Sequence, residues 1–445
     1  MKRFILAILL ISVAIAPIAA AKQVVFDDAF RSKQRSSTVV LDRRGALYPA
    51  GDAAMGITLR DLTVVDGVKP DNFDFSTLLA YYRARHASDP CQLWRDFHTV
   101  CAPTVPFEQA WDVVQRSRRK ELSSRIVEDA AGRDIVLLIH GFNNSSDEST
   151  EWYEQVEQDI AQQEVQLGRK LFPVRVYWDG LSYGFPPAVW PEAQFNGPWV
   201  GLELRRLLRA VYAAEPQTRL RVLTHSSGAF VVTNTLGDAS AGSEDLAHQH
   251  DAGRAGLDVG SLYVSRASGQ GDFGYLPASA NIRVAMLIPA QPLTAFSHFY
   301  QDPSGTAHGS TLRGVIPERI VLGLSRRDFA AGKVFAPCST LGDACMAVRT
   351  SDTCPHLMRD LNPLLDSGVR SRDAAVPRIY PVRFPWTWGT STALVWHKHA
   401  VLEYRENTAQ WEEFLSALLA DKVGTPEGAE TCTEPAPEVR YWNRR

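Results

Sequence analysis

RVLTHSSGAF, residues 221–230, changes character twice within ten positions. Leu220 to Thr224 suits a buried strand, His225-Ser226-Ser227-Gly228 is small and polar, and an apolar pattern resumes at Ala229 and runs as a helix to Leu236. Ser and Gly are ordinary turn residues, so one reading is a plain connection. The other is an elbow, a sharp strand-to-helix turn that exposes the hydroxyl of Ser226 as a nucleophile. The stretch fits G-x-S-x-G at every position but the first, where Thr224 stands. Glycine is favoured on either side of such a serine because strand and helix pack closely there. Gly228 meets that need, and the side chain of Thr224 has to be accommodated.

The flanking chain alternates strand and helix. DIVLLIHGFNN (134–144) carries a continuous apolar run, Ile135 to Ile139, suited to a strand buried on both faces. STEWYEQVEQDIAQQEVQLG (149–168) reads as a helix with Trp152, Val156, Ile160 and Val165 near one face. FPVRVYWDG (172–180) is a second strand, and a Pro- and aromatic-rich insertion, 181–199, follows it. Val200, Leu204, Leu207, Leu208 and Val211 recur at helical spacing over 200–214. NIRVAMLIP (281–289) and ERIVLGL (318–324) are further strands. The last helix, 407–420, has the stripe Trp411, Phe414, Leu415, Leu418 and Leu419, with Asn407 or Thr408 as its cap. Such alternation predicts a mostly parallel sheet with helices on both faces, and ligands gather at the carboxyl ends of its strands. This α/β domain is expected over 131–420. Before it, 22–130 form an N-terminal extension with helices in FDFSTLLAYYRARHAS (73–88) and PFEQAWDVVQRSRRKEL (106–122), separated by a Cys-bracketed loop. Residues 238–280 read as an irregular excursion and 421–445 as a polar tail.

A serine hydroxyl needs a base, and the base an orienting acid. In α/β elbows their chain order is Ser, acid, His. Asp328 follows the strand ending at Leu324, and WHKHAVLEY (396–404) supplies His397 and His399. Taken singly, Asp328 could be a loop carboxylate paired with Arg326 or Arg327, and either histidine a surface or core residue. In HGFN (140–143), Gly141 permits a turn whose Phe142 N–H could face an oxyanion. Ser227 N–H would supply the second donor.

HGFN at 140–143, WDG at 178–180, HSxG at 225–228, DFA at 328–330 and a late His399 with Tyr404 five residues on occur together. In this combination the chain resembles the α/β-hydrolase superfamily over roughly 130–420. The resemblance implies an α/β-hydrolase-type sheet and an acyl-enzyme on Ser226, with Asp328 as orienting acid. It favours His399 over His397 as base, through the Tyr404 spacing. It implies neither a substrate nor a role for the N-terminal hundred residues.

Composition bounds the rest. With 445 residues, 45% hydrophobic and 22% charged, the chain can bury a large core. A formal charge of −3 favours neither a nucleic-acid nor a polybasic membrane partner. MKRFILAILLISVAIAPIAAAKQ (1–23) reads as a signal peptide cleaved after Ala21, with an uncleaved anchor as the alternative. Loss of Lys2 and Arg3 would take the charge from −3 to −5. The mature chain is then expected to be exported, periplasmic or extracellular, with no transmembrane anchor. Six cysteines in an oxidising compartment suggest Cys91–Cys101, Cys338–Cys345 and Cys354–Cys432 disulfides. Their spacing fits no C-x2-C zinc pattern, and no Gly-rich phosphate loop is present, so neither metal nor cofactor is expected. Tyr183, Phe185, Trp190, Phe195, Trp199, Phe384, Trp386, Trp388 and Trp396 are either core or a wide apolar wall for an acyl chain or aromatic ester. The expectation is a serine hydrolase taking a small-molecule ester or thioester. A non-catalytic exported binding protein on the same fold is the alternative.

Overall fold

In the computed structural model the described residues are 36–51, 57, 77–142, 144, 146–180, 186–237 (backbone only for 186–195), 276–277, 279–291, 317–325, 328, 331, 346, 379–384 and 399–423. Their elements run β1 (Ser37–Leu41), α1 (Leu78–His86), α2 (Gln92–Asp96), α3 (Phe107–Ala130), β2 (Asp134–Ile139), α4 (Ser146–Leu167), β3 (Leu171–Trp178) and α5 (Pro186–Ala214). Then come β4 (Arg219–His225), α6 (Gly228–Leu236), β5 (Asn281–Leu287), β6 (Arg319–Leu324), β7 (Ile379–Arg383), α7 (Val401–Arg405) and α8 (Thr408–Leu419). The seven strands form one sheet, order β1-β3-β2-β4-β5-β6-β7, and every pairing is parallel.

The strands are apolar on both sides because both sides are covered. Period-two alternation divides β2 between two cores: Ile135, Leu137 and Ile139 face α3, α5 and α6, whereas Val136 and Leu138 face α4 and α8. α1 and α2 extend the second core with Leu78, Tyr82, Leu93 and Trp94. The chain leaves β2 towards β3 on one side and leaves β4 towards β5 on the other. Adjacent strands whose connections diverge open a crevice beyond their carboxyl ends, and in open α/β sheets that crevice is where ligands bind.

Four features depart from the sequence reading. The N-terminal segment supplies an edge strand, with Ser37 opposite Val174 and Leu41 opposite Trp178. β7 was not expected, because Pro381 interrupts its pattern; a proline is tolerated here since, among the described residues, β7 is an edge strand paired with β6 alone. The Pro-rich stretch is not an insertion up to Trp199, since α5 begins at Pro186. Pro186 suits a first turn, while Pro191 and Pro198 each remove an interior hydrogen bond and so hid the helix. Asn407 stands at the start of α8 without a side-chain cap bond; its amide donates instead to Glu403 O at 3.4 Å. The loop bracketed by Cys91 and Cys101 holds α2, and the two sulfurs stand at disulfide distance. The segment 1–21, the other four cysteines and most of 238–280 lie outside the described residues. So do the tail beyond residue 423 and the side chains of Tyr183, Phe185, Trp190, Phe195, Trp386, Trp388 and Trp396. Among the described residues no helix is long and apolar enough to cross a membrane.

Candidate active site

β4 delivers Ser226 at its carboxyl end with φ +53°, a left-handed conformation that few non-glycine residues adopt. Neighbouring backbone holds the strained turn in place. Ser226 N–H donates to Leu287 O at 3.0 Å, and Ser226 O accepts from Ala290 N–H at 3.1 Å. α6 starts two residues later at Gly228. A Cβ there would lie 2.2 Å from Thr224 Oγ1 and 2.7 Å from His140 O, so no side chain fits. The space is taken by the Thr224 hydroxyl, and that is how threonine is tolerated where the elbow pattern has glycine.

The loop after β2 presses on the same turn. A Cβ on Gly141 would come 2.8 Å from Ser226 Cβ, so the two strand ends approach as closely as backbone allows. Phe142 follows Gly141 and packs against Ala290 beyond β5. The sheet thus brings the Gly141–Phe142 loop beside the Ser226–Ser227 turn.

Asp328 lies beyond β6, and His399 stands just ahead of α7. His399 Nε2 is 2.8 Å from Ser226 Oγ, and its Nδ1 is 2.7 Å from Asp328 Oδ2. Ser226 and Asp328 are buried, while the His399 side chain keeps 16% of its surface. Tyr404 Oη donates to Asp328 Oδ2 at 2.5 Å, and Ala331 N–H donates to Oδ1 at 2.7 Å. Burial alone would raise the Asp328 carboxyl. His399 and the hydrogen bonds from His399, Tyr404 and Ala331 outweigh it and hold the group below its ordinary 3.8. Burial, and then Asp328, push the Tyr404 hydroxyl well above 10, so tyrosine remains the donor of that bond.

Ser226 and Ser227, Phe142, Asp328 and His399 therefore come to the carboxyl edge of the sheet from four separate stretches of chain. His397 lies outside the described residues. Three contributors carried no assigned role in the sequence reading. Tyr404 was noted for its spacing from His399 but not as a partner of Asp328. His225, buried, sets its ring 4.8 Å from that of His399 with the planes tilted by 45°, and burial, then neighbouring His399, take it down to about 3. Arg43 reaches from the N-terminal segment to Asp179, Nε to Oδ2 2.8 Å, both side chains buried, at the end of β3 beside Gly180. Nothing local marks Arg43, because its partner stands 136 residues away.

Among the described residues no group of three or more His, Cys, Asp or Glu side chains could hold a metal ion. The arrangement can pass a proton from a serine hydroxyl to a carboxylate-oriented imidazole and receive negative charge on nearby backbone N–H groups. No protein-family model, curated protein or solved structure matches the chain.

Proposed function

We propose that the protein is a serine hydrolase of α/β-hydrolase type that cleaves a small-molecule ester or thioester through an acyl-enzyme on Ser226. One observation carries the reading: the continuous series Ser226 Oγ, His399 Nε2, His399 Nδ1 and Asp328 Oδ2, at 2.8 and 2.7 Å. Its members follow the chain order expected for this fold and stand after β4, after β6 and after β7.

In this mechanism neutral His399 takes the proton of Ser226 at Nε2 as Oγ attacks the carbonyl carbon. The tetrahedral oxyanion is received by the N–H groups of Phe142 and Ser227. Ser227 directly precedes α6, so the positive end of that helix adds to the field. Asp328 accepts from Nδ1–H, sets the tautomer and stabilises the imidazolium. His399 then protonates the departing alcohol or thiol. Water activated by the same imidazole releases the acid and restores Ser226. Export, with cleavage after Ala21, belongs to this proposal and is checked by sequencing the mature amino terminus.

The test is labelling of the purified chain with a fluorophosphonate, alongside a panel of p-nitrophenyl esters of graded chain length. Stoichiometric label on Ser226, absent in Ser226→Ala, is expected. A folded wild-type protein that takes no label would be a binding protein instead. His399→Ala is expected to lose turnover and His397→Ala to retain it; the reverse result moves the base by two residues.

A further inference from the structure

His140 lies under the candidate oxyanion loop, fully buried, with no part in the proton transfers above. Every polar atom of the residue is engaged. Its backbone N–H donates to Tyr153 Oη at 2.9 Å, and Tyr153 in turn donates to Val176 O. Its carbonyl accepts from Trp178 Nε1–H at 2.8 Å. Its ring stacks on the Trp178 indole, planes 17° apart. The two ring nitrogens bond in opposite senses. Nε2 faces the Trp178 backbone N–H at 3.0 Å, which can only donate, so Nε2 carries no proton. Nδ1 faces Gly141 O at 2.8 Å, which can only accept, so Nδ1 carries one. Burial lowers the imidazole to about 4, in keeping with a ring that stays uncharged.

The Gly141 carbonyl is thus pinned back towards its neighbour's ring. In a trans peptide the C=O of one residue and the N–H of the next point in opposite directions. Holding Gly141 O therefore sets the direction of Phe142 N–H. The hold matters because residue 141 has to be glycine to pass Ser226, and glycine gives this peptide rotational freedom that other residues lack. A flipped Gly141–Phe142 peptide would present a carbonyl oxygen where an anion has to form.

We propose that His140 is a positioning residue, whose imidazole locks the Gly141–Phe142 peptide with the Phe142 N–H turned towards the oxyanion. The proposal rests on the serine-hydrolase reading. It touches neither the nucleophile nor the base, so it predicts a defect confined to charge stabilisation.

The experiment uses the full chain, wild type, His140→Ala and His140→Gln, with active sites counted by fluorophosphonate titration. Per active site, His140→Ala is expected to lose kcat on the order of 10²-fold, the cost of one oxyanion donor, with KM near wild type. The phosphonylation rate should fall in parallel, since its transition state builds charge on the same oxygen. Glutamine, whose amide can donate to Gly141 O, should restore part of both rates. A purely structural role would lower the number of titrated sites and leave the rate per site unchanged, and that result overturns the proposal. A wild-type chain that takes no label defeats the hydrolase reading itself, and this proposal with it. Should neither variant fold, ¹⁵N spectra of the wild-type imidazoles decide: a neutral His140 protonated at Nδ1 supports the lock, and an Nε2–H tautomer or an imidazolium overturns it.

Discussion

The two ends of the seven-stranded sheet are built differently. Parallel strands joined through helices gather helix beginnings at one edge and helix ends at the other. At the carboxyl edge the backbone is strained, with Ser226 at φ +53° and Ile288 at φ +46°. Buried His140 and His225 gather there with the buried Asp328 carboxylate, which is bonded to His399. At the amino edge arginines meet the exposed carbonyls of finished helices. Arg133 donates to Ala130 O at the end of α3. Arg169, Arg283 and Arg319 all donate to the last carbonyls of α8, among them Leu419 O and Ala420 O. Asp421 and Glu318 pair with the same guanidinium groups. A guanidinium offers five donors and a charge opposite to the helix end, so it suits this place. Crowding has a consequence even here: burial, then neighbouring Arg283, lower Arg221 to about 9. A cavity of about 450 Å³ lined by Arg133, Asp134, Arg169, Lys170 and Arg219 also belongs to this amino edge, remote from Ser226. One topology therefore places the proposed chemistry at one edge and helix capping, with Ala131 left-handed at φ +47° after α3, at the other.

Substitutions at the two edges should separate cleanly. The largest effect is expected from Ser226→Ala, with ester turnover down by about 10⁴-fold or more and the urea midpoint close to wild type. Joint loss of activity and stability would mean that the edges are not independent. Arg283→Ala is the converse. It removes charged hydrogen bonds to Leu419 O and Ala420 O and should cost about 3 kcal/mol in urea unfolding, taking two such bonds at about 1.5 each. Its kcat should remain near wild type. A collapse of kcat would show that the α8 anchor controls His399 through α7. Replacing Cys91 and Cys101 by serine opens a loop of sequence separation 10, expected to cost about 2–3 kcal/mol with activity unchanged. An equal melting temperature with and without reductant would remove that crosslink.

The smallest effect concerns Asp328 and pH. Its carboxyl sits lower in the folded chain than its ordinary 3.8, so the unfolded state binds the proton more readily. Its stabilising contribution is therefore complete above the unfolded value and is lost as pH falls through the lowered folded value. Tyr404→Phe deletes one of the bonds responsible. It should move the acid-unfolding midpoint upward and cost roughly 1–2 kcal/mol at neutral pH. A midpoint unchanged from wild type would deny Tyr404 that part.

Local pattern carried much of this architecture. Ile135–Ile139, Leu220–Thr224, Ile282–Leu287 and Ile320–Leu324 are near-continuous apolar runs, as strands covered on both faces have to be. Ser226, Asp328 and His399 could be picked out because each follows or borders an element end, in the order of the proposed hydrolase. β7 escaped because Pro381 reads as a break until the strand is known to lie at an edge. α5 escaped its true start because Pro191 and Pro198 read as loop. Thr224 looked like a defect in the elbow until Gly228 was seen to leave its hydroxyl room.

The residues by themselves determined the alternation of strands and helices, the parallel character of the sheet, and the few polar groups able to act at its carboxyl edge. Those follow from periodicity and from side-chain chemistry, which are local. Only the tertiary structure decided that Arg43 meets Asp179, that Tyr404 binds Asp328, and that the His140 ring takes Gly141 O on one nitrogen and Trp178 N–H on the other. Most of these partners lie 38 to 136 residues apart in the chain. A hydrogen bond acts over about 3 Å, so such pairings exist only once packing has brought the segments together.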